Sequence, residues 1–444
     1  MLVARTILFF VFSFFLAGIC HAELVLDTRF GNAGIVDKAI SGNSFQRAPQ
    51  TTVLPDGRIV VAVIRASRPG VNWDWKPALF LARLLPDGSA DPAFGNGAPV
   101  MLDLSASFFQ RALSNHLVVR PDGSLLALVT MSTGPSGTYH LTHLVSITAD
   151  GRLDPAFNGG APLLLSKRGY NRVKVFDTDQ GYLVLAGYPV GSRDTEVSQF
   201  TALRVRADGT FDPTFGNGGR VDVDAPDEAG TDGMPIPGGG FQMSYFEYGA
   251  EHPVNYWRRY RADGSLDTAF GSGGEEAIPA VDGVFLNEIH PLGDGTYAGT
   301  DDHACIRRLL DEQGRTLKTF AQPCAVVTHS FAMAQSYGQK ILASDGSYLS
   351  VVDRDGTIDR AFAEPQGDRW RPTAWTDGEF GAAANGDRGV VLAAVVGSTL
   401  RVRRYVDVRG GTPSSQSIPA LGLPALLLLL GGMAMFANRR MVRR

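Results

Sequence analysis

The feature that most constrains this chain is a recurrence: an Asp-Gly turn followed, six residues after its glycine, by a phenylalanine. The pattern reads PDGSADPAFGNG at Phe94, ADGRLDPAFNGG at Phe157, ADGTFDPTFGNGG at Phe215 and ADGSLDTAFGSGG at Phe270. RDGTIDRAF repeats it at Phe362, EQGRTLKTF keeps a worn version at Phe320, and LDTRFGNAG at Phe30 holds only the second half. From Phe30 onward the steps are 64, 63, 58, 55, 50 and 42 residues, so loops shorten around a constant unit. Self-similarity of this kind means an array of supersecondary units rather than two or three unrelated domains.

Each unit holds a second turn, at Asp56-Gly57, Asp122-Gly123, Gly181, Gly240, Asp294-Gly295, Asp345-Gly346 and near Gly389. Asp-Gly pairs accept the positive φ that tight hairpins require. Runs rich in Val, Leu, Ile, Tyr and Phe follow these turns, IVVAVI and LLALV among them, and read as strands. Strand, turn, strand, loop, strand, turn and short strand make a four-stranded meander. Four-stranded units in a ring are the plan of an all-β, seven-bladed β-propeller, which leaves only short sheet edges. The chain opens on ELVLDTRFG, the end of a unit, and closes on LRVRRYVDVRGG, an earlier part. That split predicts a last blade shared by the two ends. The 52 glycines and 25 prolines suit many turns, and no apolar 3.6-residue period competes with the strands.

The ends predict a four-part layout: a secretory signal peptide at 1–22, the propeller at 23–409, a linker at 410–417, and a C-terminal segment at 418–444. Arg5, the apolar run ILFFVFSFFLAGI and Ala22 fit a signal peptide, with a lipidated Cys20 as the alternative. The 20 residues 418–437, IPALGLPALLLLLGGMAMFA, are long enough to cross a bilayer, and Arg439, Arg440, Arg443 and Arg444 would stay cytoplasmic. The body then lies in the periplasm, in the envelope or at the cell surface. In an oxidising compartment Cys305 and Cys324 are expected to pair as a disulfide.

A net charge of −4, from 41 Lys and Arg against 45 Asp and Glu, offers no basic field for nucleic acid. No G-x-S-x-G, H-E-x-x-H or P-loop pattern occurs, so no catalytic residue is assigned. Asp91, Asp154, Asp212, Asp267 and Asp359 are expected to brace the turns that precede Phe94, Phe157, Phe215, Phe270 and Phe362, with calcium ligation as the alternative role. Asp222, Asp224 and Asp227 form the one acidic cluster that could gather a calcium ion, read as a loop; no other cofactor is expected. His140 and His143, three apart on a strand, face opposite ways, and His290, His303 and His329 are scattered. Trp73, Trp75, Trp257, Trp370 and Trp375 are candidates for an exposed binding rim, or else fillers between blades.

The unit D-G-x-x-D-x-x-F-G-x-x-G over residues 24–410 resembles the delta-sixty repeat family of exported bacterial proteins. The resemblance implies a propeller-like body and no particular reaction. The tail, with its Ile-Pro-Ala-Leu opening, apolar span and arginine cluster, resembles the C-terminal sorting signals of Gram-negative bacteria that begin Ile-Pro-Thr-Leu. Ala420 stands where those have threonine, and the usual Ser-Glu-Trp is absent. That likeness implies an envelope protease or transpeptidase as partner for the tail. The function expected is binding or scaffolding toward a protein or glycan, with a propeller hydrolase or lyase using axial Asp and His as the alternative.

Overall fold

The computed structural model describes residues 24–407 except 41–48, 66–77, 104–108, 134–138, 167–171, 188–198, 225–227, 248–253, 279–285, 287, 293, 302–304, 321–332, 345–346, 360–361, 363–369, 373–378 and 387–388. Residues 408–444 form a separate unit that lies wholly outside the described residues, as does 1–23, so the two predicted terminal segments are not described. Among the described residues no helix is long and apolar enough to cross a membrane.

The chain enters with β1 (Leu24–Leu26) and β2 (Ile35–Ala39), then builds blades in order. Blade 1 is β3 (Gln50–Val53), β4 (Ile59–Arg65), β5 (Ala78–Leu84) and β6 (Val100–Asp103). Blade 2 is β7 (Phe109–Val119), β8 (Leu125–Thr133), β9 (Tyr139–Ile147) and β10 (Leu163–Ser166). Blade 3 is β11 (Arg172–Thr178), β12 (Gly181–Gly187), β13 (Gln199–Val205) and β14 (Arg220–Asp224). Blade 4 is β15 (Glu228–Pro235), β16 (Phe241–Glu247), β17 (Asn255–Tyr260) and β18 (Glu275–Ile278). Blade 5 is β19 (Glu288–Pro291), β20 (Tyr297–Thr300), β21 (Ile306–Leu310) and β22 (Thr316–Thr319). Blade 6 shows three strands among the described residues, β23 (Met333–Tyr337), β24 (Lys340–Ser344) and β25 (Leu349–Asp353). Blade 7 is β26 (Gly381–Asn385), β27 (Gly389–Val396) and β28 (Thr399–Asp407).

Every blade is an antiparallel meander, and β1 and β2 both add to the outer edge of β28. The register runs Leu24↔Asp407 to Leu26↔Tyr405, then Ile35↔Arg403 to Ala39↔Thr399. The first strand of each blade touches the first strand of the next, through to β26 against β3, which closes the ring. The seven-bladed propeller expected from the repeat is thus the fold, and the shared last blade closes it.

Apolar side chains gather in seven clusters, one per seam between consecutive blades, and each takes one repeat phenylalanine. Phe30, Phe94, Phe157, Phe215 and Phe362 are at most 1 % exposed, whereas Phe270 is only partly buried. Strands such as IVVAVIR (β4) are buried on both faces because a blade is sandwiched between two others, which is why they read as unbroken apolar runs. One turn falls elsewhere than expected. Asp345 and Gly346, outside the described residues, come in sequence after β24 rather than before it, and β23 meets β24 at Gly338 and Gln339. Gly338, at φ 58°, supplies the positive φ there, so no Asp-Gly pair is needed.

Candidate functional site

The repeat residues form a latch, and its geometry follows from the local sequence. The aspartate side chain caps the next turn: Asp91 Oδ1 accepts from Ala93 N at 2.9 Å, Asp154 from Ala156 N at 3.0 Å and Asp212 from Thr214 N at 3.1 Å. Asp27 accepts from Arg29 N at 3.2 Å and Asp267 from Ala269 N at 3.4 Å, while Asp359 takes Phe362 N at 3.3 Å. In each copy the aspartate carbonyl also receives the phenylalanine N–H, for example Phe94 to Asp91 at 3.1 Å. These are Asx turns that fix where the ring points. Burial alone would raise the Asp91 carboxyl; the Ala93 N–H and the Arg83 guanidinium outweigh it and hold the group below the usual carboxylate range.

From that platform four of the blades grip their successors. The residue after the phenylalanine donates to the turn aspartate of the next blade: Gly31 N to Asp87 O at 2.7 Å, Gly95 N to Asp150 O at 3.0 Å, Asn158 N to Asp208 O at 2.8 Å, and Gly216 N to Asp263 O at 2.7 Å. The turn glycine of that next blade sits directly on the grip. A Cβ at Gly88 would lie 2.7 Å from Gly31 N and 2.9 Å from the Phe30 ring, and Gly88 also has φ +86°. No other residue satisfies both demands.

An arginine five residues before the turn glycine completes the latch, and the sequence reading missed it. Arg83 pairs with Asp91 at 2.7 Å, lies 4.7 Å over the Phe94 ring and donates to Ala149 O in blade 2 at 2.7 Å. Arg204 lies 4.4 Å over Phe215 and donates to Ala262 O at 2.5 Å; Arg259 lies 4.0 Å over Phe270 and donates to Gln313 O at 2.7 Å. Arg404 covers Phe30 at 4.8 Å, pairs with Asp27 and donates to Pro86 O. The signal was present in LARLLPDG, ALRVRADG and WRRYRADG, but in strands already explained by their apolar residues it passed as surface charge.

The inner strands carry a second polar set, also unforeseen. Lys174 (β11) ion-pairs with Asp232 (β15) and reaches Ile289 O (β19), and Asp232 Oδ2 accepts Ile289 N at 2.6 Å. His116 (β7) accepts Val175 N on Nδ1 at 3.2 Å, and Gln335 (β23) accepts Ala384 N at 2.9 Å. Each side chain thus caps backbone on the inner strand of a following blade, where edge groups would otherwise lack partners. Burial, with Lys174 nearby, pushes the His116 imidazole down to about 4.

The remaining expectations resolve unevenly. Trp257 and Trp370 are 4 % and 2 % exposed, so neither contributes to an exposed rim; both fill seams, as large aromatics do when a blade face is covered on both sides. Trp73, Trp75 and Trp375 lie outside the described residues. The acidic cluster is not a loop: Asp222 and Asp224 end β14, and β15 begins at Glu228. Asp222 pairs with Arg220 at 2.6 Å and accepts Thr201 Oγ1 at 2.7 Å, while Asp227 lies outside the described residues. Among the described residues no group of three or more His, Cys, Asp or Glu could hold a metal ion. His143 is buried and His290 lies 3.5 Å from Glu288; His303 and His329 fall outside the described residues. Cys305 is buried, and Cys324, its expected partner, lies outside the described residues.

With this geometry in place, comparison with known proteins adds the fold's company. Residues 54–94, one hairpin turn to one repeat phenylalanine, match the family described as "Domain of unknown function (DUF5122) beta-propeller". No curated protein matches the chain. Among solved structures it is similar to a protein of unknown function from Dyadobacter fermentans, at 13% identity over 84% of this chain and 99% of that one, with a TM-score of 0.40. A GH93 α-L-arabinofuranosidase of Fusarium graminearum, with arabinobiose, is similar at 10% identity over 84% and 97%, with a TM-score of 0.39. A polysaccharide lyase is similar at 10% identity over 81% and 77%, with a TM-score of 0.40. Likenesses this distant carry nothing about what this chain binds.

Proposed function

We propose that the protein is an exported, envelope- or surface-associated binding propeller that engages a protein or glycan partner through the face opposite its latches. One observation supports this reading. The latched turns gather at one end of the ring and are occupied by holding neighbouring blades together. The strand ends at the opposite end are joined by connections of unequal length: 66–77 in blade 1 and 188–198 in blade 3, against only Gly397 and Ser398 in blade 7. Connections free of the repeat's constraint are where recognition residues accumulate on a rigid scaffold. Trp73 and Trp75 belong to the blade 1 connection, and large amphipathic rings are effective anchors.

The measurement is a glycan array of bacterial envelope polysaccharides, lipopolysaccharide included, probed with the full-length protein and with Trp73→Ala/Trp75→Ala. Binding that disappears in the double variant at unchanged melting temperature supports the reading. Equal binding by both proteins moves the site elsewhere. The second reading, a hydrolase or lyase working at the axis, is favoured by His116, Lys174 and Asp232 on inner strands of consecutive blades. New reducing ends or unsaturated products from the same glycans, lost in Asp232→Asn, would replace the binding proposal with this one.

Export through 1–22 and processing of 418–444 by an envelope protease or transpeptidase belong to the same proposal. Pro419 and Pro424 make the outer end of the span a poor helix and an accessible substrate. Intact mass of envelope and surface fractions tests this, and mature protein ending at Arg444 in every fraction leaves a plain anchor. Non-reducing peptide mapping tests the Cys305–Cys324 pairing.

A further inference from the structure

We infer that residues 24–40 are a separable clasp, and that the outer edge of β28, with the third-to-fourth-strand turn of blade 1, is a strand-accepting groove that recognises this segment whether or not it is joined to the rest of the chain. The groove has three parts. β28 pairs with β27 on one side only, so without the clasp its other side shows a row of unpaired N–H and C=O groups from 399 to 407. β1 and β2 fill that row in two antiparallel stretches. Ion pairs fix the register at both ends, Arg404–Asp27 at 2.8 Å and Arg401–Asp37 at 2.8 Å. Between them Phe30, 0 % exposed, enters the cluster formed by blade 7 and blade 1. Gly31 N and Arg404 then grasp the carbonyls of Asp87 and Pro86 in blade 1.

Main-chain pairing supplies affinity, and the buried ring and two charge pairs supply specificity, which is the logic of strand addition to an open sheet edge. The clasp is held by β28, by the cluster between blades 7 and 1 and by the blade 1 turn, so continuity of the chain through 41–48 is not needed for recognition. Competing occupants follow from the same chemistry. While the edge is open, the identical segment of a second copy fits it equally well, and a swapped dimer is the alternative product.

The test uses the full chain with a protease site inserted in 41–48. After cleavage the N-terminal fragment should stay with the body on gel filtration, and a fluorescein-labelled peptide of residues 24–40 should replace it over hours. A Phe30→Ala peptide is expected to bind at least about tenfold more weakly. Arg401→Gln, which breaks only the outer ion pair, should speed the exchange severalfold with the body still folded by near-UV circular dichroism. Loss of the fragment at the moment of cleavage overturns the inference. So does peptide uptake that occurs no faster than global unfolding of the same sample. Either result leaves the proposed binding face untouched.

Discussion

The seam between blades 1 and 2 and the seam between blades 6 and 7 solve one problem with different parts. At the first, Phe94, Asp91 and Arg83 act as one unit on the Asp150-Gly151 turn of the next blade. At the second, no such turn is present among the described residues, and β28 takes its outer partners, β1 and β2, from the N-terminal part of the chain. Phe362 is still buried, but it packs edge-on against Trp370 at 6.3 Å, and Trp370 packs edge-on against Tyr405 at 5.1 Å. An aromatic ladder replaces a polar grip. The difference teaches that the hydrogen-bonded grip is negotiable: where the grip is lost, more aromatic surface takes over. The seam between blades 4 and 5 is a third case. There Phe270 is only partly buried, and polar contacts such as Asn255 to Leu286 O at 3.2 Å assist.

The largest effect should come from removing the rings. Phe94→Ala is expected to lower unfolding free energy by about 4 kcal/mol, the range for deleting a fully buried aromatic. If Trp370 is the substitute at its seam, Trp370→Ala should cost as much in the same denaturant titration. A near-neutral Trp370→Ala would break the comparison, since the ladder would then be decoration.

Next comes the charged pair at the axis. Asp232→Asn leaves the Lys174 ammonium among buried groups and is expected to cost about 3 kcal/mol. Lys174→Met combined with Asp232→Leu should recover much of that loss, because the pair's own desolvation is costly. Failure to recover would mean that the bonds to Ile289 on blade 5, rather than charge balance, are what matter there.

A smaller effect follows from His116, and its sign is fixed by the direction of the shift. The ring titrates near 6.5 when unfolded and at about 4 in the fold, so the unfolded chain takes the proton first as pH falls. The stability is intact above about 6.5 and drains away toward 4, by no more than about 3 kcal/mol. Urea midpoints measured across that window should fall for the native protein. In His116→Asn, which keeps an acceptor for Val175 N, they should stay flatter. The carboxylates of Asp27, Asp91 and Asp212, held low by their partners, release their share only below the ordinary carboxylate range.

The smallest effect separates two glycines that share a positive φ. Gly218 has nothing within 4 Å of a would-be Cβ, so Gly218→Ala should cost only the left-handed conformation, about 1 kcal/mol. Gly209 has Asn158 N at 2.6 Å, so Gly209→Ala should cost clearly more and loosen the grip of blade 2 on blade 3. Equal melting temperatures for the two variants would show that close approach is not what demands glycine at the latch.

Much of this architecture could be read from residues alone because it is local. An Asp-Gly pair fixes its turn within four residues, and the phenylalanine six further on inherits its direction from that turn. The broken first copy at Phe30 was enough to reveal a shared blade. What stayed hidden was relational. Arg83 and Arg204 look like solvated strand charges until the next blade's carbonyls are placed beside them. Lys174 and Asp232 lie 58 residues apart and meet only because the ring brings their inner strands together. Trp257 and Trp370 misled for the converse reason: their chain neighbours Arg258 and Arg371 are charged, yet the seam buries both indoles, and the arginines lie over Tyr245 and Tyr348. Sequence order shows composition and turn chemistry directly, but which side of a blade a neighbour covers is decided by the count of blades.

The latch has a direction, since at the four seams that carry its backbone bond each blade reaches forward to the turn of the next. A contact that joins unlike surfaces head to tail in this way is open-ended by construction, and it stops only where the accumulated rotation returns to the start. An internal duplication of one unit would therefore arrive with both of its faces already complementary to its neighbours. Only the closing angle would have to adjust. Copy number in such a chain is an inheritable variable separate from the chemistry of the unit. The worn copy around Phe320 and the shortened unit that follows it are what a ring assembled by successive duplication leaves behind, once later members are free to drift under the support of their neighbours.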